Sequence, residues 1–202
     1  MTRCALAVAG AGPRLELGIN VLRNDALSAL AIAAATSATL VRVNVHCGAR
    51  LTDQGVIEGH AHDTLRRRRQ LGLAEVKLLC DVAVKHSAAL APRPIAEEAL
   101  EASERGLADA LLVTGSGTGN EPDLSDLMAL LGATAVPVLV ASGTSQDRLA
   151  AFFSAHANGR RAHGVVVGSS LRASGKAGDP IDPERAKRFA EAFAKVGRSG
   201  SC

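Results

Sequence analysis

Residues 110–114 read ALLVT, a short apolar run, and two similar runs follow it, VPVLVA at 136–141 and GVVVG at 164–168. None of the three alternates apolar with polar residues, as a strand with one solvent-facing side would. Strands that are apolar on both faces are typical of a parallel sheet covered by helices. These runs therefore predict an α/β fold.

Working outward from them, strand-like runs alternate with segments of helical length and composition along the whole chain. The predicted strands are residues 15–20, 40–45, 76–84, 110–114, 136–141 and 164–167. The predicted helices are residues 25–36, 58–71, 95–106, 124–131, 146–155 and 183–196. Four short polar residues lie where helix N-caps are expected: Asp25, Asp123, Ser145 and Asp182. The pattern amounts to six βα units of ordinary size.

Two architectures fit six such units, an open doubly wound sheet and a (β/α)8 barrel. A full barrel usually takes about 250 residues, and this chain has 202. The first residues, MTRCALAV, look like the end of a helix rather than the first strand of a sheet. The residues alone leave both architectures open.

Composition excludes several classes of function. The net charge is only +3, the one dense basic cluster is RRRR at 66–69, and the chain has four Phe and no Trp or Tyr. Nucleic acid is therefore not an expected partner, and the arginines are interpreted as a solvated helix face. Four scattered cysteines and no signal peptide predict a cytoplasmic protein. No metal or other cofactor is expected, since His60 and His62 are two ligands at most and the TGSGTG loop lacks dinucleotide spacing.

In both architectures the carboxyl ends of the strands carry the ligand site. The polar residues predicted to bind substrate there are Asn20, Arg23, Asn24, Arg42, Asn44, Asp53, His86, Thr114 and Ser116. Asp81 is predicted to be the acid or base and Lys85 its electrophilic partner. The alternative is that Asp81 and Lys85 form an ion pair without catalytic function.

Two small-residue loops, ASGTS at 141–145 and GSSLR at 168–172, follow the last two predicted strands. Small residues let backbone N–H groups approach an anion, and barrels often bind phosphate in the loops after their last two strands. The predicted phosphate-binding residues are Ser142, Gly143, Gly168 and Ser169. The alternative is that these loops are only tight turns.

Five segments together resemble the BtpA family, also called the BtpA/SgcQ family. They are GINVLRNDALSALAIAAAT (18–36), VRVNVHCGARLTDQGVIEGHAHDTLRRRR (41–69), DVAVKH (81–86), RGLADALLVTGSGTG (105–119) and GVVVGSSLR with DPIDPER (164–185). The resemblance implies a (β/α)8 barrel of the ribulose-phosphate-binding type. It also implies relatives of two kinds, a cyanobacterial protein peripheral to thylakoids that stabilises photosystem I, and proteins encoded near sugar-use genes.

Family members begin with about two further βα units, the first with an HLxPLPG-like strand and loop. The resemblance therefore implies one partial barrel domain over residues 1–202, with residues 1–12 left from the second helix and residues 197–202 as a frayed tail. Six of eight units would leave two unpaired sheet edges. A start further upstream, closure by association as a homo-oligomer, and a non-functional fragment are the alternatives.

Three functional hypotheses result. The first is a barrel that binds a small phosphorylated metabolite, a sugar or nucleoside phosphate, at the carboxyl ends of its strands, as an enzyme or as a binding protein. The second is a non-enzymatic assembly factor in peripheral contact with a membrane. Residues 66–69 are the one dense basic cluster of the sequence that could make this contact. The third is a degenerate fragment without either activity.

Overall fold

Two sheets form the framework of the protein. The computed structural model describes residues 1–12, 14–84, 86–115, 123–154, 159–176 and 178–198. The strands are β1 (Gly18–Ile19), β2 (Leu40–Val43), β3 (Ala49–Thr52), β4 (Gly55–Glu58), β5 (Lys77–Val82), β6 (Ser87–Ala89), β7 (Ala110–Thr114), β8 (Val138–Ala141) and β9 (Gly164–Val166). One sheet has the order β1-β2-β5-β7-β8-β9 and the other has the order β4-β3-β6.

The larger sheet is parallel throughout, and its six strands are the six that the sequence predicts. Each strand of this sheet pairs with the strand of the same sheet that comes next in the sequence, so the order of the strands never reverses. A doubly wound sheet reverses its order at a switch point, whereas a barrel does not. The structure is therefore an incomplete (β/α) barrel, and among the described residues β1 and β9 each pair with one strand only.

The two faces of this sheet have different neighbours because side chains alternate along a strand. Outward-facing residues such as Val41, Leu78 and Val113 belong to the main hydrophobic core beneath the helices. The residues between them, including Arg42 and Asp81, face the barrel interior. The interior is consequently polar at the carboxyl end of β2 and β5, where a ligand site was predicted.

The helices that cover the sheet agree with the predicted ones apart from their ends. They are α1 (Thr2–Ala11), α2 (Ala26–Thr36), α3 (Ala61–Gln70), α4 (Ile95–Leu100), α5 (Leu124–Ala133), α6 (Leu149–Phe153) and α7 (Pro183–Arg198). A π-helical turn, Glu101–Arg105, continues α4. Two 3-10 turns are formed by Gln146–Arg148 and Ser169–Leu171. Among the described residues, no helix is both long enough and apolar enough to cross a bilayer.

Three of the four predicted helix caps are confirmed by side-chain hydrogen bonds. The carboxylates of Asp25, Asp123 and Asp182 accept from backbone N–H groups in the first turns of α2, α5 and α7. Ser145 also lies at the predicted N-cap position, but it precedes a 3-10 turn and its side chain makes no capping hydrogen bond to that turn. The fifth predicted helix, residues 146–155, accordingly becomes α-helical only at Leu149.

The smaller, antiparallel sheet was not predicted. β3 and β4 form a hairpin in which Thr52 pairs with Gly55, and β6 joins the other edge of β3. The helix predicted over residues 58–71 therefore begins three residues late, at Ala61, because Glu58 ends β4.

The ends of the chain also bear on the predicted domain. Residues 1–8 were expected to be helical, and α1 confirms this; its place in a complete barrel stays a prediction. Residues 197–202 were expected to fray, but α7 continues to Arg198, and residues 199–202 lie outside the described part of the chain.

The arginine cluster at 66–69 is not the uniformly solvated face that was predicted. Arg66 is 72% exposed, as expected. Arg68 is only 18% exposed, and its Nη1 donates to Asp109 Oδ2 at 2.8 Å and to the Val76 carbonyl at 3.2 Å. The helix carries a partly buried arginine because Asp109 and Val76 supply acceptors for its charge.

Candidate functional site

Four of the predicted site residues form one hydrogen-bonded network on the inner face of the barrel. Arg42 donates from Nε and Nη2 to the two oxygens of Asp81, each at 2.8 Å. Asn44 Nδ2 donates to Asp81 Oδ2 at 2.8 Å, and Asn20 Nδ2 donates to Asn44 Oδ1 at 3.1 Å. The ends of β1, β2 and β5 are thereby joined by hydrogen bonds between side chains that lie up to 39 residues apart in the sequence.

The network holds a buried carboxylate beside a partly exposed guanidinium. The Asp81 side chain is 1% exposed and that of Arg42 is 22% exposed. The bidentate contact with Asp81 fixes the plane of the Arg42 guanidinium. It occupies two of the five N–H donors of the guanidinium. Within the described part of the chain, the remaining donors of Arg42 have no protein acceptor, so they can bind an anion or a carbonyl oxygen of a ligand.

Two further polar residues of the segment 18–36, Arg23 and Asn24, connect the loop after β1 to its surroundings. Asn24 accepts from the Val45 N–H at 2.7 Å and donates to the Val45 carbonyl at 2.8 Å, so its amide is used to hold the end of β2. Arg23 donates to Asp53, whose side chain is 74% exposed at the turn between β3 and β4, at 2.6 Å. Arg23 and Asp53 thus tie the antiparallel sheet to the barrel mouth.

Two of the remaining predicted residues, Thr114 and His86, lie at the end of β7 and after the end of β5. Thr114 is buried, and its hydroxyl donates to the Ala83 carbonyl at 3.0 Å. His86 is exposed, with a left-handed backbone (φ 55°). Lys85 and Ser116 lie outside the described residues. The pairing of Asp81 with Lys85 therefore stays a prediction, and the observed partner of Asp81 is Arg42.

The four predicted phosphate-binding residues lie on two neighbouring loops at the same end of the sheet. Ser142 and Gly143 follow β8 with left-handed backbone conformations (φ 76° and 62°), while Gly168 and Ser169 follow β9. The Ser170 hydroxyl donates to the Thr144 carbonyl at 2.8 Å, which links the two loops. The two loops are therefore neighbours, and phosphate binding by them stays a prediction.

A cavity of about 370 Å³, here called the rim cavity, opens beside the inner-face network. It lies between the ends of β2 and β5, the strands β3 and β6, and helix α4. Asn44 and Asp81 line it, and so do two ion pairs, Arg50 with Glu98 and Arg93 with Glu101. Sequence reasoning missed these four charged residues because Arg50 belongs to the unpredicted hairpin. Nothing in the predicted helix over residues 95–106 shows that Glu98 and Glu101 face a cavity.

Two further residues at this cavity are held in their uncharged forms. Burial raises the pKa of the Cys47 thiol to about 11, so Cys47 is not a thiolate nucleophile at neutral pH. Burial also lowers the pKa of His46, which is 2% exposed. His46 Nε2 lies 2.7 Å from the Gly106 carbonyl, and this contact assigns the proton of the neutral ring to Nε2.

The buried histidine makes stability depend on pH. The pKa of His46 is lowered in the folded state. The neutral His46 therefore contributes fully to the stability of the fold above about pH 6.5, the ordinary pKa of histidine, and this contribution is lost as the pH falls below that value. The pKa of His163 is also lowered, mainly by burial.

We expect His46→Gln, whose amide can still donate to Gly106, to flatten the fall in stability between about pH 6.5 and 5. Urea titrations across this range test this, with the exposed residue His62 (His62→Gln) as control; an unchanged slope in the His46 variant would contradict it.

Known proteins with similar sequences share one family profile with this chain. The sequence profile of the BtpA family matches residues 1–195. The "Photosystem I biogenesis protein BtpA" of Synechocystis is 44% identical over 89% of this chain and 60% of its own length. An uncharacterized protein of Thermococcus kodakarensis is 40% identical over 88% of this chain and 64% of its own. The chain thus spans less than two thirds of the length of these relatives.

Solved structures show the same fold at low sequence identity. N-(5'-phosphoribosyl)anthranilate isomerase from Pyrococcus furiosus has a TM-score of 0.65 at 15% identity, covering 96% of this chain and 81% of that one. The 3-hexulose-6-phosphate synthase from Salmonella typhimurium has a TM-score of 0.64 at 17% identity, with the same coverage. At these identities the likeness shows the fold alone, and it confirms the predicted α/β barrel.

Proposed function

The chain belongs to the BtpA family, and from this premise we propose that it binds a small phosphorylated metabolite at the carboxyl ends of its parallel strands. The observation that carries the proposal is the inner-face network of Asn20, Arg42, Asn44 and Asp81. A barrel stabilised only by packing has no need of a buried carboxylate and a guanidinium at its mouth, since well-packed apolar residues are at least as stabilising as a buried ion pair. Ligand binding explains why they are there.

The phosphate group is assigned to the two linked loops after β8 and β9. Their small residues, Ser142, Gly143, Gly168 and Ser169, leave backbone N–H groups accessible to an anion. Barrels often bind phosphate in the loops after their last two strands. The names of the anthranilate isomerase and the hexulose-phosphate synthase, which share this fold, each include a phosphorylated compound. This agrees with the assignment of a phosphate site to the two loops.

The reacting part of the metabolite is assigned to the network itself. Arg42, fixed by Asp81, would polarise a carbonyl or hold an anionic group through its remaining donors. Asp81 would exchange a proton with the substrate as acid or base, with Arg42 retaining it in place. Lys85, four residues further along the chain, is the proposed electrophilic partner.

The test is phosphate-dependent binding by the 202-residue chain. We expect inorganic phosphate and ribose 5-phosphate to raise its melting temperature and to bind measurably by calorimetry. Ser169→Asp, which puts a carboxylate into the proposed phosphate loop, is expected to weaken both ligands at least about ten-fold through like-charge repulsion. Ser37→Asp is the matched control, because Ser37 is exposed and follows α2 at the opposite end of the strands.

The outcome that would refute the proposal is a chain that melts cooperatively yet shows no shift with either compound. Equal loss of binding in the Ser169 and Ser37 variants would also count against the assigned loops, since it would point to net charge rather than to a local site.

The second hypothesis, an assembly factor at a membrane surface, rests on the name of the Synechocystis relative. It needs an exposed basic patch, and of the four arginines at 66–69 Arg68 is engaged by Asp109. Metabolite binding is favoured because the inner-face network has no role in surface docking.

A further inference from the structure

We infer that the ligand is a phosphorylated sugar rather than a nucleotide, and that its hydroxyl-bearing carbon chain lies in the rim cavity. This rests on the proposed function and narrows its substrate class. Three independent features of the cavity support it: its charge balance, the absence of large aromatic side chains, and its distance from the phosphate loops.

The charges that line the cavity are paired. Arg50 pairs with Glu98, Arg93 with Glu101, and Asp81 with Arg42. A charged ligand group beside Arg50 and Glu98, or beside Arg93 and Glu101, would meet one like charge and one counter-ion that is already engaged. An uncharged hydroxyl suits such pairs better, because it can accept from a guanidinium and donate to a carboxylate at the same time.

Among the described residues, those that line the rim cavity include no Phe, Trp or Tyr on which a nucleobase could stack. The chain has no Trp or Tyr, and its four Phe are residues 152, 153, 189 and 193, in α6 and α7 away from the cavity. Base recognition commonly uses stacking on aromatic side chains. The cavity instead presents aliphatic groups, among them Val45, Val82 and Leu90, which can pack against the C–H groups of a sugar.

The distance between the two subsites agrees with a sugar phosphate. β5, which ends beside Asp81, and β8, which leads to Ser142, have only β7 between them. Two inter-strand spacings amount to about 10 Å. An extended pentose or hexose phosphate can bridge this distance with its phosphate at the loops and its far carbons at Asp81. The cavity volume of about 370 Å³ is near the lower end of the range for small-molecule sites.

The experiment compares three probes by calorimetry at one ionic strength: inorganic phosphate, ribose 5-phosphate and adenosine 5'-monophosphate. We expect ribose 5-phosphate to bind at least ten-fold more tightly than phosphate, and the nucleotide to bind no more tightly than phosphate. Glu98→Gln, which keeps the shape of the side chain and removes its charge, should lower the affinity for ribose 5-phosphate about ten-fold and leave phosphate unchanged. Glu97→Gln, exposed on the same helix, is the matched control.

The outcomes separate this inference from the proposed function. If phosphate and the nucleotide bind but ribose 5-phosphate is no tighter than phosphate, the sugar assignment is overturned while phosphate binding stands. If no phosphorylated probe binds to the folded chain, the proposed function itself fails. Should Glu98→Gln not fold, Glu101→Gln tests the second ion pair of the cavity in the same way, and unchanged sugar-phosphate affinity in that folded variant overturns the inference.

Discussion

Asp81→Ala is expected to lower the free energy of unfolding by about 3–5 kcal/mol, the usual cost of removing one partner of a buried ion pair. The Asp81 carboxylate is 1% exposed and accepts three hydrogen bonds, two from Arg42 and one from Asn44. Without it, a partly buried guanidinium and a buried amide lose their acceptor together. Urea denaturation monitored by circular dichroism measures the loss.

Two further variants show whether the loss comes from the unpaired charge. The double variant Arg42→Met/Asp81→Leu removes both charges, and we expect it to recover much of the stability, because apolar replacement of a buried pair is often neutral or better. Asp53→Ala, which breaks the ion pair of an aspartate that is 74% exposed, should change stability by no more than about 1 kcal/mol. A double variant no more stable than Asp81→Ala would show that packing, not charge compensation, controls this site.

Gly59→Ala is the second change with a large expected effect, a destabilisation of about 3 kcal/mol or more. A Cβ atom there would lie 2.6 Å from the His46 carbonyl oxygen and 2.7 Å from both Cα and the carbonyl carbon of Cys47. All three are backbone atoms, so no side-chain rotation relieves the contact. The Gly59 N–H also donates to the Gly48 carbonyl at 2.7 Å, which fixes the two segments against each other.

Gly132→Ala is the matched control for this prediction. Gly132 lies within α5, and a Cβ added there meets nothing within 4 Å. Alanine in a helix interior is better than glycine by about 0.5–1 kcal/mol, so this variant should be slightly more stable than the parent chain. Thermal and urea denaturation of both variants test the pair; equal midpoints would show that the close approach at Gly59 is not a constraint on the fold.

Much of the fold could be predicted because its signals are local. The run ALLVT became β7 over the predicted residues, and Asp25 caps α2 by accepting from Ser28 N–H, three residues further on. Both depend on side chains that are neighbours along the chain. The predicted phosphate loops share this property, since Gly143 and Gly168 were recognised from the few residues around them.

The features that could not be predicted join distant residues. β3 and β4 are four residues each with weak alternation, their turn Asp53–Gln54 lacks the Asn-Gly signature of a tight hairpin, and β6 returns to β3 only at residues 87–89. The rim cavity follows from that sheet. Arg50 and Glu98, which line it, are 48 residues apart in the chain, so no short motif records their pairing.

The sequence by itself determined the α/β class, the parallel sheet and the end of the strands that carries the polar residues, because apolar runs, caps and strand polarity are properties of adjacent residues. Residue patterns left the barrel and the doubly wound sheet open, and the family resemblance implied the barrel. Tertiary structure alone decided that Asp81 is held by Arg42 and that the antiparallel sheet borders a cavity. These depend on which buried charges and strand edges meet across the fold. A buried charge must be compensated by whichever partner the fold brings within hydrogen-bond distance, however far away that partner lies along the chain.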